Sequence, residues 1–194
     1  GHSLPDGLHK NEALPKPILT PSTKAAKGGH DLSVSKEKLL EMEVISEADF
    51  AVAAQHAERL FLWGQRLCAE RGLILADTKY EMGKSADGRI VVIDEIHTPD
   101  SSRYWRADTY EARLGAGEEP DSFDKEYLRR FLADKGWTGD GPMPPIPDEI
   151  RVEASRRYIE ACETIRGESF TANLENPIQR IARNLAAQLG PKPI

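Results

Sequence analysis

Apolar and polar positions alternate through the middle of the chain, where residues 73–105 predict a β-hairpin. Two runs rich in Leu, Ile and Val flank a polar tip, which is typical of two strands joined by a tight turn. Successive side chains of a strand point to opposite faces, so Asp77, Lys79 and Glu81 should share one face, with neighbours about 7 Å apart. The other face should then carry the apolar Ile74, Ala76 and Met82.

On both sides of the hairpin the apolar positions recur with the 3.6-residue period of amphipathic helices. The predicted helices cover residues 47–70, 123–135, 148–166 and 177–189, after a short first helix that runs to Met42. The short helix should begin at Ser33 or Ser35, and Ser46 should cap the helix 47–70. Residues 104–117 should be irregular, and Phe61 and Trp63 of the long helix are expected in the core.

The beginning of the chain is rich in proline and has little periodicity. Pro5, Pro15, Pro17 and Pro21 disfavour regular structure, so residues 1–45 should form an extended segment that is anchored by contacts elsewhere. Residues 46–194 should form a lobe in which helices pack around the hairpin. The predicted fold class is therefore α+β.

The hairpin suggests a metal site made of two carboxylates. If Asp87 and Gly88 form a two-residue turn, Glu81 lies directly opposite Asp94, with Cβ atoms about 5 Å apart. Two like charges in that position repel, and Mg²⁺ suits them because it takes one or two protein carboxylates together with phosphate oxygens. The spacing alone also fits a solvated polar face on which Lys79 neutralises its neighbours.

Two further features favour a binding site. Asp94 interrupts the apolar run 90–96 and would be costly there if it were buried without a partner. In the segment after it, Pro99 prevents regular structure, and Arg103 offers a planar fork that binds phosphate or carboxylate through two hydrogen bonds. A cation, an anion-binding group and carboxylates should therefore meet at one end of the hairpin.

The composition narrows the class of protein. The 194 residues are 39% hydrophobic and 30% charged, with a net charge of −6, and no basic run points to nucleic acid or an anionic membrane. No apolar run approaches the roughly 20 residues of a membrane span. Cys68 and Cys162 lack the spacing of a metal or redox motif, so we expect reduced thiols in a cytoplasmic protein.

Several segments resemble those of the SAICAR synthetase (phosphoribosylaminoimidazole-succinocarboxamide synthase) family. They are ADTKYEMG at 76–83, IDE at 93–95, TPDSSRYW at 98–105, TPSTK at 20–24, HD at 30–31 and SFDK at 122–125. The resemblance implies a kinase-like two-lobe fold, in which a small β lobe with a glycine-rich loop covers ATP and a larger C-terminal lobe carries the metal ligands. It also implies an ATP-dependent ligase of purine biosynthesis that joins L-aspartate to the carboxylate of carboxyaminoimidazole ribotide.

The resemblance implies a role for each matching residue. Glu81 and Asp94 would hold Mg²⁺. The catalytic residues would be Asp77, Lys79 and Lys24. Of these, Asp77 and Lys79 would lie next to the imidazole of the ribotide. The remaining substrate-binding positions would be Ser102 and Arg103 at the ribotide phosphate, together with Asp100, His30, Asp31, Lys125 and Arg129.

Simpler interpretations of several of these residues stay open. Lys24 could be an ordinary surface lysine, and His30 with Asp31 could cap the turn before the first helix. Lys125 and Arg129 lie one turn apart on one helical face and could form a solvated basic stripe.

The sequence contains no glycine-rich phosphate loop before Asp77. The upstream ATP lobe should then come from the same gene or from a partner chain, and assembly as a homo-oligomer is one arrangement to test. The alternative is a truncated, non-catalytic substrate-binding or assembly module of the same fold. A different phosphotransferase with a kinase-like lobe is disfavoured, because a kinase catalytic loop is missing.

Overall fold

A computed structural model describes residues 2, 4–24, 31–123, 126–137, 139 and 141–190. Over these residues it contains six helices and four short strands, which confirms the α+β class. The elements are α1 (Lys36–Glu41), α2 (Glu47–Glu70), β1 (Leu73–Thr78), β2 (Met82–Lys84), β3 (Ile90–Val92), β4 (Ser102–Arg106), α3 (Ala107–Ala116), α4 (Glu126–Asp134), α5 (Asp148–Arg166) and α6 (Pro177–Leu189).

The first two helices begin directly after serine residues that cap them. Ser35 Oγ accepts a hydrogen bond from Lys38 N at the start of α1, and Ser46 Oγ accepts one from Asp49 N at the start of α2. The bounds of α2, α5 and α6 match the predicted ranges. These predictions hold because capping and periodicity are local properties of the chain.

The predicted hairpin is divided into two antiparallel strand pairs, with β2–β3 nested inside β1–β4. A register shift between Leu75 and Asp77 makes Ala76 an extra residue in β1. Leu75 therefore stays opposite the buried Tyr104, whereas Asp77 lies opposite the exposed Arg103. Without this bulge, Asp77 would share the buried face of Leu75.

The turn of the inner hairpin has three residues, so the predicted two-residue turn is wrong. Ser85 N donates to Arg89 O at 2.9 Å, and Gly88 adopts a φ of +85°, as three-residue hairpin loops require. Ile93 N then donates to Glu81 O at 3.0 Å. Glu81 is consequently opposite Ile93 and not Asp94, because a one-residue slip moves each side chain to the other face.

Residues 104–117 are regular, in contrast to the prediction of an irregular segment. They continue β4 and form α3, which ends at Gly117 with a left-handed φ of +69°. Trp105 stacks on Tyr110 with ring centroids 5.7 Å apart, and Tyr110 Oη donates to Asn11 O at 2.7 Å. The helix is thus held in part by Asn11, which is distant in sequence, and local periodicity does not reveal such a contact.

The hydrophobic core lies where α2 and α5 meet the β1–β4 pair. Its buried members are Cys68, Leu73, Leu75, Tyr104, Phe123 and Ala161, with Phe61 and Ile165 packed against them. Burial raises the pKa of the Cys68 thiol to about 11, so this thiol stays protonated at neutral pH. Trp63 is 52% exposed, and its predicted place in the core is wrong.

Among the described helices, the structure contains none that is both long enough and apolar enough to cross a membrane.

Candidate functional site

The outer face of the β1–β4 pair carries an ion pair with two hydrogen bonds. Arg103 Nε donates to Asp77 Oδ1 at 2.9 Å, and Arg103 Nη2 donates to Asp77 Oδ2. The pair forms because the two residues are register partners and the bulge turns Asp77 outward. Both side chains remain about half exposed, so a ligand can reach the guanidinium.

Beyond the end of β1, four charged side chains form a continuous series. Lys79 Nζ lies 3.1 Å from Asp31 Oδ2 and 3.0 Å from Glu81 Oε1, while Lys24 Nζ donates to Glu81 Oε2. The predicted site residues Lys24, Asp31, Lys79 and Glu81 are therefore brought together from two distant parts of the chain. We call this group, with Asp77 and Arg103, the charged face.

The charges on this face alternate and stabilise one another. Hydrogen bonds from Lys24 and then Lys79 lower the pKa of Glu81, and hydrogen bonds to Glu81 and Asp31 raise the pKa of Lys79. At neutral pH, Lys79 and Glu81 are therefore charged. Such an array can exchange its internal partners for the carboxylates, phosphates or amines of a ligand.

The structure does not support a shared metal site at Glu81 and Asp94 in this conformation. Each oxygen of Glu81 faces a lysine, and Asp94 is exposed, with Oδ1 accepting from Glu95 N at 2.9 Å. No group of three His, Cys, Asp or Glu residues suited to a metal ion is found in the described part of the chain. The register argument that placed the two carboxylates opposite each other is thus wrong, and a metal role for them stays a prediction.

A compact turn connects β3 to β4 and carries two further predicted residues. Thr98 and Ser101 hydrogen-bond each other through side chain and backbone, and Ser102 N donates to Thr98 O at 2.9 Å. Asp100 is exposed in this turn. Ser102 is 3% exposed, and its hydroxyl lies 2.8 Å from Thr78 Oγ1, so this hydroxyl faces the interior of the strand pair.

The remaining predicted residues lie elsewhere. Arg129 is exposed on α4, while His30 and Lys125 lie outside the described residues.

The sequence interpretation missed an aromatic cluster around His97. His97 contacts Trp63, Tyr80 and Tyr104. A histidine before a Thr-Pro turn gives no distinctive signal, and Trp63 was expected in the core. Only the positive φ of His97, +54°, marks it as unusual, and backbone angles cannot be predicted from the sequence here.

Taken together, the fold and the site define an α+β lobe with a charged face suited to small ionic ligands. The family model for SAICAR synthetase matches residues 1–144. This chain therefore belongs to the SAICAR synthetase family.

Individual relatives agree with this membership. A phosphoribosylaminoimidazole-succinocarboxamide synthase of Flavobacterium psychrophilum is 44% identical over 192 residues, a match that covers 97% of this chain and 61% of the relative. Among solved structures, a SAICAR synthase of Saccharomyces cerevisiae complexed with SAICAR has a TM-score of 0.71 at 34% identity, over 87% of this chain and 52% of that one. A SAICAR synthetase in complex with ADP has a TM-score of 0.62 at 28% identity, covering 85% and 57%. The chain spans between 46% and 61% of the length of the curated relatives compared with it.

Proposed function

We propose that this chain provides the substrate-binding lobe of an ATP-dependent ligase that joins L-aspartate to carboxyaminoimidazole ribotide. The observation that carries the proposal is the charged face, on which three cations and three carboxylates alternate within reach of solvent. Both substrates are polyanionic, and aspartate also brings an ammonium group. An alternating array offers partners for all of these charges. Family membership supports the reaction class.

Arg103 is the group we propose for the ribotide phosphate. Its guanidinium is held by Asp77, and a phosphate would replace that carboxylate with the same two-bond geometry. Ser102 hydrogen-bonds Thr78, so a phosphate contact through its hydroxyl requires this side chain to rotate. Asp100 lies in the adjoining turn, and we propose it as a further substrate contact.

Lys24 and Lys79 are proposed to neutralise the acidic groups of the substrates. Asp77 and Lys79 would lie next to the imidazole, and Asp31 would take part at the same end of the charged face. Catalysis would consist mainly of positioning and charge neutralisation, because a carboxylate that attacks a phosphoryl group needs little covalent help. His30, Lys125 and Arg129 complete the proposed substrate contacts.

The nucleotide part of the proposal rests on the relatives. One solved family member is in complex with ADP, and we propose ATP and Mg²⁺ as the cofactors. Glu81 and Asp94 do not fit a shared Mg²⁺ as they stand, since Lys24 and Lys79 occupy Glu81. We therefore propose only that these carboxylates contact a metal ion that is bound to the nucleotide. Lys24 and Lys79 must move away from Glu81 before such a contact can form.

We also propose separate roles for the two parts of the chain. Residues 1–45 would line the cleft, and residues 46–194 would form the catalytic lobe. The ATP lobe would come from the same polypeptide or a partner chain, a suggestion supported by the greater length of the relatives. The free thiols of Cys68 and Cys162 suit a reducing compartment, and we propose the cytoplasm.

The test is a calorimetric titration with carboxyaminoimidazole ribotide and, separately, with ATP and Mg²⁺. We expect ribotide to bind the wild-type chain and Arg103→Gln to weaken that binding about tenfold or more, since hydrogen bonds to charged groups contribute about 1.5–3 kcal/mol. The matched control is Arg89→Gln, which removes an exposed arginine paired with Asp87 at the hairpin tip and should change affinity less than about twofold.

Equal affinity of both variants would contradict the role of Arg103. If the wild-type chain binds neither ribotide nor nucleotide, the alternative of a non-catalytic assembly module replaces the ligase proposal.

A further inference from the structure

His97 has an unusual backbone conformation directly before the turn that leads into β4. Its φ of +54° lies in the left-handed region, which a residue with a Cβ adopts only when its surroundings compensate the cost. It precedes the turn 98–101, which leads into Ser102 and Arg103. The surroundings of His97 therefore decide where that turn begins.

Three aromatic residues hold His97 in place. The imidazole stacks on Trp63 with centroids 6.3 Å apart and planes at 16°, and it meets the Tyr80 ring edge-on at 5.6 Å. Its Nε2 lies 2.5 Å from Tyr80 Oη, and its carbonyl oxygen accepts from the hydroxyl of the fully buried Tyr104. Ring and backbone are thus fixed separately, by residues of α2, the hairpin and β4.

α2 is shaped to receive this ring. A Cβ on Gly64 would lie 2.8 Å from both His97 Nδ1 and Leu75 Cδ2, closer than side chains tolerate. Glycine inside a helix costs about 1 kcal/mol relative to alanine, and Gly64 has no positive φ that would demand it. The space occupied by the imidazole is therefore the structural reason for glycine at this position.

The cluster lies where the two strand ladders separate. Tyr80 falls between Lys79 and Glu81 of the charged face, in the gap between β1 and β2. Across the gap, Lys79 N donates to Ser101 O and Glu81 O accepts from Ile93 N. The Tyr80–His97 hydrogen bond supplies a side-chain link between the same two backbone segments.

Protonation fits this arrangement. Burial lowers the pKa of the His97 imidazole and raises that of the Tyr80 hydroxyl. A neutral imidazole can then accept the hydrogen bond that the phenol donates.

We propose that His97, held by Gly64, Trp63 and Tyr80, is a positioning residue that fixes Lys79 and Glu81, in the gap between β1 and β2, relative to Arg103 on β4. The ligand in this inference, the phosphate-bearing ribotide, rests on the proposed function. The positioning itself rests only on the geometry. His97 acts through the groups that it orders.

Two variants test the link, and a third controls for them. Tyr80→Phe removes one hydroxyl and keeps the ring, Gly64→Ala displaces the imidazole, and Gly115→Ala adds the same methyl group to α3 where nothing lies within 4 Å. We expect the first two to lower hydrogen-exchange protection of the Lys79 amide and shift the Arg103 amide resonance. They should also weaken ribotide binding about five- to tenfold, the equivalent of one lost hydrogen bond. Gly115→Ala should leave all three measurements within about twofold of wild type.

The outcomes separate this inference from the proposed function. Folded Tyr80→Phe and Gly64→Ala proteins with wild-type Lys79 and Arg103 amides would overturn the positioning role, as would a loss of global stability with unchanged ribotide affinity. If Gly64→Ala fails to fold, the Tyr80→Phe measurements alone decide whether His97 has the positioning role. If wild-type protein binds no ribotide, the proposed function fails, and the amide measurements still decide the positioning role.

Discussion

Glu81 contacts both lysines of the charged face. Its side chain is 13% exposed, and its two oxygens face Lys24 and Lys79. Lys79 in turn reaches Asp31, so one carboxylate orders cations that belong to separate segments. The individual ion pairs contribute little, because lysine ammonium groups that remain exposed are screened by water. Their value lies in holding charged groups ready for a ligand.

Glu81→Gln should make stability less dependent on pH in the acidic range. The pKa of Glu81 is lowered in the folded protein from its ordinary value of 4.5, so its contribution is present above that value and disappears as pH falls through the folded pKa. Urea unfolding should show wild type more stable by about 0.5–1 kcal/mol at neutral pH, with the difference shrinking as the pH falls below the ordinary value of 4.5.

Glu58→Gln, at an exposed position on α2, is the control for the loss of a carboxylate outside the charged face. A difference between wild type and Glu81→Gln that grows on acidification would contradict this account of the ion pairs.

At the scale of elements, α2 supports both the core and the site. One side of the helix packs Cys68 and Phe61 towards the strands, and Gly64 and Trp63 receive His97. The helix therefore links core packing to the placement of the charged face. Its start depends on Ser46, which satisfies a backbone N–H that no helical carbonyl reaches.

Ser46→Ala should lower the free energy of unfolding by about 1 kcal/mol, the usual cost of a lost N-cap. The measurement is the urea midpoint at an unchanged slope. Ser155→Ala serves as the matched control, since Ser155 Oγ donates to Arg151 O within α5 and has no capping role. Equal losses in the two variants would mean that Ser46 does not set the start of α2.

At the scale of the whole molecule, stability is concentrated in a small central core. Leu75 and Tyr104 are the largest fully buried side chains among the described residues, whereas α6 contributes none to the core. Ile178, Ile181 and Leu185 of α6 are all at least half exposed. Substitutions should therefore differ sharply in effect according to their distance from the β1–β4 pair.

Leu75→Ala should destabilise the protein by about 3 kcal/mol, because it removes buried methyl groups and leaves a cavity. Leu185→Ala deletes the same atoms at a side chain that is 50% exposed and should cost less than about 1 kcal/mol. Calorimetric or urea unfolding of both variants checks the contrast. Comparable losses would show that α6 belongs to the cooperative core.

Local chemistry allowed the sequence to predict most helices and the polar face that carries Asp77, Lys79 and Glu81. Ser35, Ser46 and the apolar periods fix helix bounds within a few residues, because caps and periods act over one or two turns. The alternation of Asp77, Lys79 and Glu81 indicated a polar face, and the motif segments indicated the family. These features need only neighbours in sequence.

Strand register and long-range pairing were decided by the tertiary structure. A bulge at Ala76 and a third turn residue cost little locally, yet together they turn Asp77 outward and separate Glu81 from Asp94. Lys24 meets Glu81 across 57 residues, and α3 depends on contacts between Tyr110 and Asn11. The sequence by itself determined the elements and the charges they carry. The packing of Leu75 and Tyr104 against α2 decided which charges meet, because burial fixes strand faces more strongly than the turn does.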